Sequence, residues 1–90
     1  MSRRKLKVSD DTIRKLYRVQ RERCGCCGTW ITLQAALDHD HKTNAIRGLL
    51  CRSCNVAEGV ILKTGLTPKA FAERLEQYLS NPPANDLELE

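Results

Sequence analysis

The residues best suited to chemistry lie between positions 38 and 55. Asp38, His39, Asp40 and His41 form an unbroken acid and imidazole run that holds both histidines of the chain, and Asn55 follows downstream. Carboxylate and amide oxygens suit a hard cation such as Mg²⁺, and a neutral imidazole can accept a proton from water. These residue types therefore suit metal-assisted hydrolysis of a phosphodiester, and the plainer alternative is a polar turn beside a metal.

Four cysteines bracket this run in two Cys-x-x-Cys pairs, Cys24 with Cys27 and Cys51 with Cys54. Zinc favours tetrahedral thiolate coordination, and the two-residue spacer lets both sulfurs of a pair face one ion. We therefore expect a structural zinc whose four sulfur ligands leave no open position for catalysis. Redox thiols or plain buried cysteines are the alternatives. Cys26 is the spare cysteine, and we expect it to be a free, partly exposed thiol.

The composition indicates one small domain that needs a metal to hold it together. Only 4% of the 90 residues are aromatic, so the core is thin and mainly aliphatic. The five cysteines are an odd number, and nothing resembles a secretory signal, which argues against a disulfide framework. No apolar run approaches the ~20 residues that span a membrane. We expect a reducing, cytoplasmic setting.

Positive charge is concentrated at the start of the chain. Residues 1–23 carry nine Lys and Arg against three Asp and Glu, a net charge of +6, whereas residues 56–90 carry a net charge of −3. A basic front half favours an anionic partner, of which nucleic acid is the commonest, although a solvated basic arm is the alternative. The candidate phosphate contacts are the arginines Arg14, Arg18, Arg21, Arg47 and Arg52.

The elements that must position these residues can be predicted from local signals. Ser9 is typical of a helix N-cap, and the helix is expected to run to a tight turn at residues 24–28, in which Gly25 and Gly28 permit positive φ. Residues 29–33 are β-prone. Residues 38–42 and 45–50 are predicted to pair as strands about a turn at 43–44, with a bulge or close backbone approach at Gly48.

Two further helices are predicted in the second half of the chain. One begins near Arg52 and ends near Gly65, and Thr67-Pro68 opens the last. Residues Phe71, Leu75, Tyr78 and Leu79 are expected to form the buried face of the last helix. The predicted organisation is a basic arm over residues 1–8, a single zinc-stapled domain over residues 9–80 and a disordered tail over residues 81–90.

The order of the motifs resembles a known family. The residues that carry the resemblance are Leu37-Asp38-His39-Asp40-His41, then Ile46-Arg47-Gly48-Leu49-Leu50-Cys51, then Cys54-Asn55 and Ala57-Glu58-Gly59. This order, over about residues 24–59, resembles the phage recombination endonuclease VII family, which belongs to the HNH or His-Me finger nucleases. The resemblance implies a small α+β fold with a ββα-metal core beside a four-cysteine zinc site, flanked by N- and C-terminal helices.

The resemblance also implies roles for individual residues. Asp38 and Asn55 would bind a catalytic Mg²⁺ or Mn²⁺, His39 would be the general base, and His41 would contact the scissile phosphate. Glu58 is a weaker candidate for the same site. Regular alternation along a strand places Asp38 and His39 on opposite faces, so this arrangement requires the strand to end or bulge between them.

Three functions are consistent with these features of the sequence. The first is a metal-dependent DNA endonuclease that nicks duplex or branched DNA, and the others are a zinc module that binds nucleic acid without cutting it and a zinc-stapled protein-interaction domain. The junction-resolving members of the family are longer and dimeric, whereas we expect this chain to be a monomer or a weak dimer.

Overall fold

The computed structural model describes residues 8–86, which form a small α+β structure. The elements in chain order are α1 (Asp10–Val19), β1 (Ala36–His39), β2 (Ile46–Leu50), α2 (Arg52–Lys63), α3 (Pro68–Ser80) and a 3-10 turn (Pro83–Asp86). The described residues form two compact units that divide between Ala57 and Glu58, inside α2. Most of the predicted basic arm, residues 1–7, and the last four residues of the predicted tail lie outside the described residues.

Helix α1 begins as predicted but ends earlier. The Ser9 hydroxyl accepts a hydrogen bond from the Thr12 backbone N–H at 3.1 Å, which satisfies one of the open donors of the first turn. The prediction that the helix runs to Cys24 was wrong. Arg21 and Glu22 adopt φ values of 54° and 63°, and the Glu22 N–H donates to the Tyr17 carbonyl at 2.9 Å. This closure is of the Schellman type and is made here by residues other than glycine.

The first Cys-x-x-Cys pair lies in a short turn that is held from both sides. The Cys24 N–H donates to the Thr29 carbonyl at 2.7 Å, and the Gly28 N–H donates to the Cys24 carbonyl at 3.1 Å. Gly28 has a φ of 80°, as predicted, but Gly25 does not share this left-handed conformation. The β-prone residues 29–33 form only an isolated bridge between Arg23 and Trp30.

Strands β1 and β2 pair antiparallel, and Leu37 lies opposite Leu49. The first strand was predicted to run from Asp38 to Lys42, but it covers Ala36–His39. The reason is that Leu37 reaches the core, whereas Asp40 leaves the sheet and its carboxylate accepts hydrogen bonds from the turn amides of Lys42 and Thr43 at 2.8 and 3.0 Å. The predicted turn is confirmed, and Asn44 supplies its positive φ of 63°.

A small core holds α1, the cysteine turn and the hairpin together. Its buried members are Ile13, Cys24, Ile31, Leu37 and Leu49. Leu49 is fully buried, and the half-buried Tyr17 packs against this cluster while its hydroxyl donates to the Ile31 carbonyl at 3.2 Å. With so few buried side chains, this unit has little apolar area to stabilise it, which supports the need for a bound metal.

The last two helices have the predicted ends. Gly65 follows α2 with a φ of 78°, and the Thr67 hydroxyl caps α3 by accepting from the Ala70 N–H at 3.1 Å. Phe71 on α3 is half-buried, but the prediction that Leu75, Tyr78 and Leu79 are buried beside it was wrong, because they are 44%, 57% and 65% exposed. Helical spacing places these side chains on one face but does not supply a surface to cover it. Among the described residues, every helix is too short or too polar to cross a membrane.

Candidate functional site

Four sulfur atoms converge where the cysteine turn meets the end of β2. The Sγ atoms of Cys24, Cys27, Cys51 and Cys54 all lie within 4.8 Å of one another, and those of Cys27 and Cys51 are 3.8 Å apart. Sulfurs that surround a tetrahedral zinc at ~2.3 Å stand ~3.8 Å from each other. The donor set and its spacing therefore fit zinc, and the predicted four-cysteine metal site is confirmed as an arrangement that can hold one.

Backbone amides prepare these sulfurs to be thiolates. The N–H groups of Cys26 and Cys51 donate to Cys24 Sγ at 3.4 and 3.3 Å, and the Cys54 N–H donates to Cys51 Sγ at 3.4 Å. Burial opposes ionisation of Cys24, but the hydrogen bonds from backbone N–H groups outweigh it and lower the pKa of this thiol to about 6.

The neighbouring sulfurs act in the opposite direction on Cys54. Hydrogen bonds between the Cys54 side chain and those of Cys51 and Cys27 raise the pKa of the Cys54 thiol. Four sulfurs this close cannot all carry negative charge without a cation among them, and a divalent ion supplies the charge that lets them do so. The side chain of Cys26 is exposed and lies outside the cluster, as expected for the spare cysteine.

Gln20 ties the end of α1 to the strand that leads into Cys51. Its side-chain Nε2 donates to the carbonyls of Arg23 and Leu49 at 2.8 and 2.9 Å, and its Oε1 accepts from the Leu49 N–H at 2.8 Å. The side-chain amide thus pairs with Leu49 as a neighbouring strand would. The only signal for this role in the amino-acid sequence is indirect, namely the close approach expected at Gly48.

The side-chain amide of Gln20 comes closest to β2 at Gly48. A Cβ built on Gly48 would lie 2.9 Å from Gln20 Oε1, closer than real Cβ contacts allow. The side-chain amide of Gln20 can therefore lie against β2 in this position because Gly48 has no side chain. The sequence predicted a bulge or a close backbone approach at Gly48, and the structure shows a close approach by a side chain there, with the bulge one residue earlier at Arg47.

The hairpin carries a bulge at the first two residues of the acid and imidazole run. Asp38 is opposite Gly48, but His39 is opposite Ile46, so the register shifts between Asp38 and His39 and Arg47 is the extra residue. The extra residue belongs to β2, so the bulge interrupts the alternation of side chains around Arg47, and β1 ends at His39. The ring centroids of His39 and His41 lie 4.9 Å apart. The neighbouring Asp40 instead serves the turn, and the amides of Thr43 and Lys42 lower the pKa of its carboxyl.

Asp38 is engaged by an arginine of the opposite strand. Arg47 Nε donates to Asp38 Oδ2 at 2.8 Å, and Arg47 Nη2 donates to Oδ1 at 2.9 Å. The Asp38 side chain is 13% exposed and that of Arg47 is 43% exposed. The sequence assigned Asp38 to an ion and Arg47 to nucleic acid, and the structure joins the two in one ion pair.

Asn55 and Glu58 both lie on α2, one and four residues after Cys54. Asn55 is exposed, and its backbone N–H donates to the Cys51 carbonyl at 3.0 Å. Within residues 8–86, the four cysteines are the only group of three or more His, Cys, Asp or Glu side chains placed to share a metal.

The predicted phosphate contacts are spread over several elements of the first unit. Arg14 and Arg18 are exposed on α1, Arg21 is exposed in the turn that follows it, and Arg52 is exposed at the start of α2. Sequence reasoning did not select Arg23, whose guanidinium lies 4.0 Å from the centroid of the exposed Trp30 ring.

Comparison with known proteins now identifies the family. Residues 1–81 match the model of the recombination endonuclease VII family. The chain belongs to the recombination endonuclease VII family. It is 35% identical over 79 residues to the Gene 59 protein of Mycobacterium phage L5 and 37% identical over 71 residues to the Gene 59 protein of Mycobacterium phage D29.

These alignments cover most of this chain but less than half of each relative. They span 86% of the chain and 46% of the L5 protein, and 77% of the chain and 41% of the D29 protein. The resemblance read from residues 24–59 is thereby confirmed, and the match extends beyond it to α1 and α3.

Proposed function

We propose that this chain is a metal-dependent DNA endonuclease with a ββα-metal core of the HNH or His-Me finger type. In this proposal β1, β2 and the start of α2 are the three parts of the core, and the four-cysteine zinc site holds them together. Family membership supports a nuclease acting on DNA. The observation that carries the proposal furthest is the register shift between Asp38 and His39, at the end of β1.

The bulge matters because hydrolysis needs an oxygen ligand and a proton acceptor near the same phosphate. Asp38 supplies the first and His39 the second, and a regular strand would direct them to opposite faces. At this step the regular pairing of the hairpin is interrupted and β1 ends at His39, so strict alternation need not continue there. The ring of His41 lies 4.9 Å from that of His39, which supports the proposal that His41 contacts the same phosphate.

Oxygen atoms of Asp38 and Asn55 are the ligands proposed for Mg²⁺ or Mn²⁺, and their chemistry suits a hard cation. When bound, such an ion stabilises the charge that develops on the departing 3′ oxygen. Asn55 follows Cys54 directly, so metal binding by the cysteines also fixes the first turn of α2 from which Asn55 projects. Glu58 remains a weaker candidate for the same site.

His39 performs the proton transfer. Its neutral imidazole accepts a proton from water as the water oxygen attacks phosphorus. The new phosphorus–oxygen bond forms, the bond from phosphorus to the 3′ oxygen breaks, and the 3′ oxygen takes a proton from solvent. The products are a 5′-phosphate and a 3′-hydroxyl.

The surface arginines position the DNA backbone rather than read its sequence. Arg14, Arg18 and Arg21 would contact phosphates along one side, with Arg47 and Arg52 closer to the hairpin. We propose that the chain works as a monomer or weak dimer and nicks one strand at a time on duplex or branched DNA.

Relaxation of supercoiled plasmid in Mg²⁺ or Mn²⁺ tests the proposal. The wild-type chain should convert plasmid to open circles, whereas His39→Ala should leave it intact while it keeps its zinc and its circular dichroism spectrum. Full activity in His39→Ala would exclude His39 as the base. Intact plasmid and intact branched DNA with folded, zinc-loaded wild type would exclude the nuclease.

One observation favours a second function, a zinc module that binds nucleic acid without cutting it. Both carboxylate oxygens of Asp38 accept hydrogen bonds from Arg47, which leaves this group less available to an ion. This second function predicts salt-dependent DNA binding that is the same with and without Mg²⁺, and no cleavage.

A further inference from the structure

We propose that Trp30, backed by Arg23, is a stacking platform for an unpaired nucleobase, a site separate from the hydrolytic residues. The inference rests on the proposed nucleic-acid function in so far as it needs a nucleic-acid partner. Trp30 is the only tryptophan of the chain, and it is 65% exposed although it adjoins the core residue Ile31.

The indole ring has one occupied face and one open face. The Arg23 guanidinium lies over the ring at 4.0 Å from its centroid, and Arg23 Nη1 also donates to the Gly28 carbonyl at 3.1 Å. With one face covered and 65% of the residue still exposed, the opposite face is open to solvent. Arg23 therefore orients the ring, and the platform offers a flat aromatic surface.

The backbone beneath the ring is fixed on both sides. Trp30 bridges to Arg23, the Cys24 N–H donates to the Thr29 carbonyl at 2.7 Å, and the Ile31 N–H donates to the Glu22 carbonyl at 2.9 Å. Ile31 is 9% exposed and anchors the segment in the core. A ring held in this way loses little conformational entropy when a ligand stacks on it.

The charge around this platform selects the class of ligand. Residues 8–23, which lead into the cysteine turn, carry five Lys and Arg against three Asp and Glu, a net charge of +2. A polyanion is therefore drawn to this side of the chain, and stacking of a base on an exposed aromatic ring adds affinity with little dependence on sequence. The base must be unpaired, because in a duplex its faces are already stacked on its neighbours.

Trp30 itself reports the interaction. The zinc-loaded chain is titrated, without Mg²⁺ or Mn²⁺, with a 5′-labelled oligothymidylate and with an abasic oligonucleotide of equal length. Both ligands carry the same phosphates, but only the first has bases. We expect oligothymidylate to quench Trp30 fluorescence and to bind more tightly, whereas the abasic ligand binds weakly, with strong salt dependence and little quenching.

Single substitutions test whether base-dependent binding is due to Trp30. Trp30→Ala should weaken binding of oligothymidylate about 5- to 100-fold and leave abasic binding unchanged, and Trp30→Phe should retain most of the affinity. Tyr78→Ala removes another exposed ring, 57% exposed on α3, and should change neither ligand. Zinc content and circular dichroism check that each variant is folded. If Trp30→Ala does not fold, the contrast between the two ligands on the wild-type chain still decides the matter.

Equal quenching by both ligands, or equal oligothymidylate affinity in Trp30→Ala and wild type, would overturn the platform. The plasmid assay is independent of this result. Plasmid nicking without base-dependent quenching would leave the nuclease and remove the platform, whereas base-dependent quenching with uncut DNA would keep the platform and remove the nuclease.

Discussion

Arg47, the extra residue of the hairpin bulge, donates two hydrogen bonds to the carboxylate of Asp38 on the opposite strand, at 2.8 and 2.9 Å. A guanidinium fork matches a carboxylate closely, so this pair holds the orientation of Asp38 before any ion arrives. The same positive charge opposes a second cation at that carboxylate. Arg47 should therefore weaken the binding of a divalent ion to Asp38.

Replacement of Arg47 by alanine should strengthen Mn²⁺ binding. Loss of the competing guanidinium should tighten the dissociation constant about tenfold, equivalent to ~1.4 kcal/mol. Calorimetry or the electron paramagnetic resonance signal of free Mn²⁺ measures it. Arg47→Lys keeps the charge without the fork and should stay near wild type. Weaker Mn²⁺ binding in Arg47→Ala would instead mean that Arg47 orients Asp38 for the ion.

The cysteines provide a matched pair of variants. Cys27→Ser removes one sulfur of the cluster and should reduce zinc content and the melting temperature, because the small core depends on the metal. Cys26→Ser keeps the backbone N–H that bonds Cys24 Sγ and should retain zinc. Metal analysis and thermal unfolding measure both. Zinc lost equally from the two variants would contradict the assigned ligand set.

Gly48 and Gln20 should be coupled. Gly48→Ala places a Cβ where Gln20 Oε1 lies, and moving Gln20 breaks its bonds to Leu49, so we expect a loss of about 1–3 kcal/mol in unfolding free energy. In a Gln20→Ala background this penalty should shrink. Gly59→Ala, inside α2 with no neighbouring atom within 4 Å, should be neutral or stabilising by about 0.5–1 kcal/mol. Additive Gly48 and Gln20 penalties in urea unfolding would contradict the coupling.

Asp40 should give the hairpin an acid-sensitive component. The turn amides of Thr43 and Lys42 lower the pKa of its carboxyl in the folded chain. The stability it contributes is therefore present above its ordinary pKa and is lost as pH falls through the lowered value. Asp40→Asn keeps an acceptor oxygen but cannot titrate, so this component should vanish. NMR titration of the Asp40 carboxyl measures it, and a pKa at or above the ordinary value would contradict the turn geometry.

Local signals predicted much of the scaffold. The Ser9 and Thr67 caps, the turn near Asn44 and the four-cysteine cluster all follow from residue types at fixed spacing, and each is confirmed. These features depend on neighbours within a few residues, or on a metal whose ligand preferences are narrow. The family could be recognised for the same reason, because its motifs combine such spacings.

Contacts between distant residues could not be predicted. Helix α1 ends early because Arg21 and Glu22 adopt positive φ, a conformation that arginine and glutamate seldom adopt. The amide pairing of Gln20 with Leu49 spans 29 residues. The Asp38–Arg47 ion pair depends on a bulge whose position the pattern of polar and apolar residues did not fix.

The most direct test of the central claim is chemical rescue of His39→Gly in plasmid nicking. If His39 is the general base, the variant should be slower by about 10² to 10⁴-fold, and added imidazole should restore part of the rate. Asp38→Ala, treated identically with zinc content verified, should not be rescued. Nicking by His39→Gly at the wild-type rate without imidazole would contradict the account.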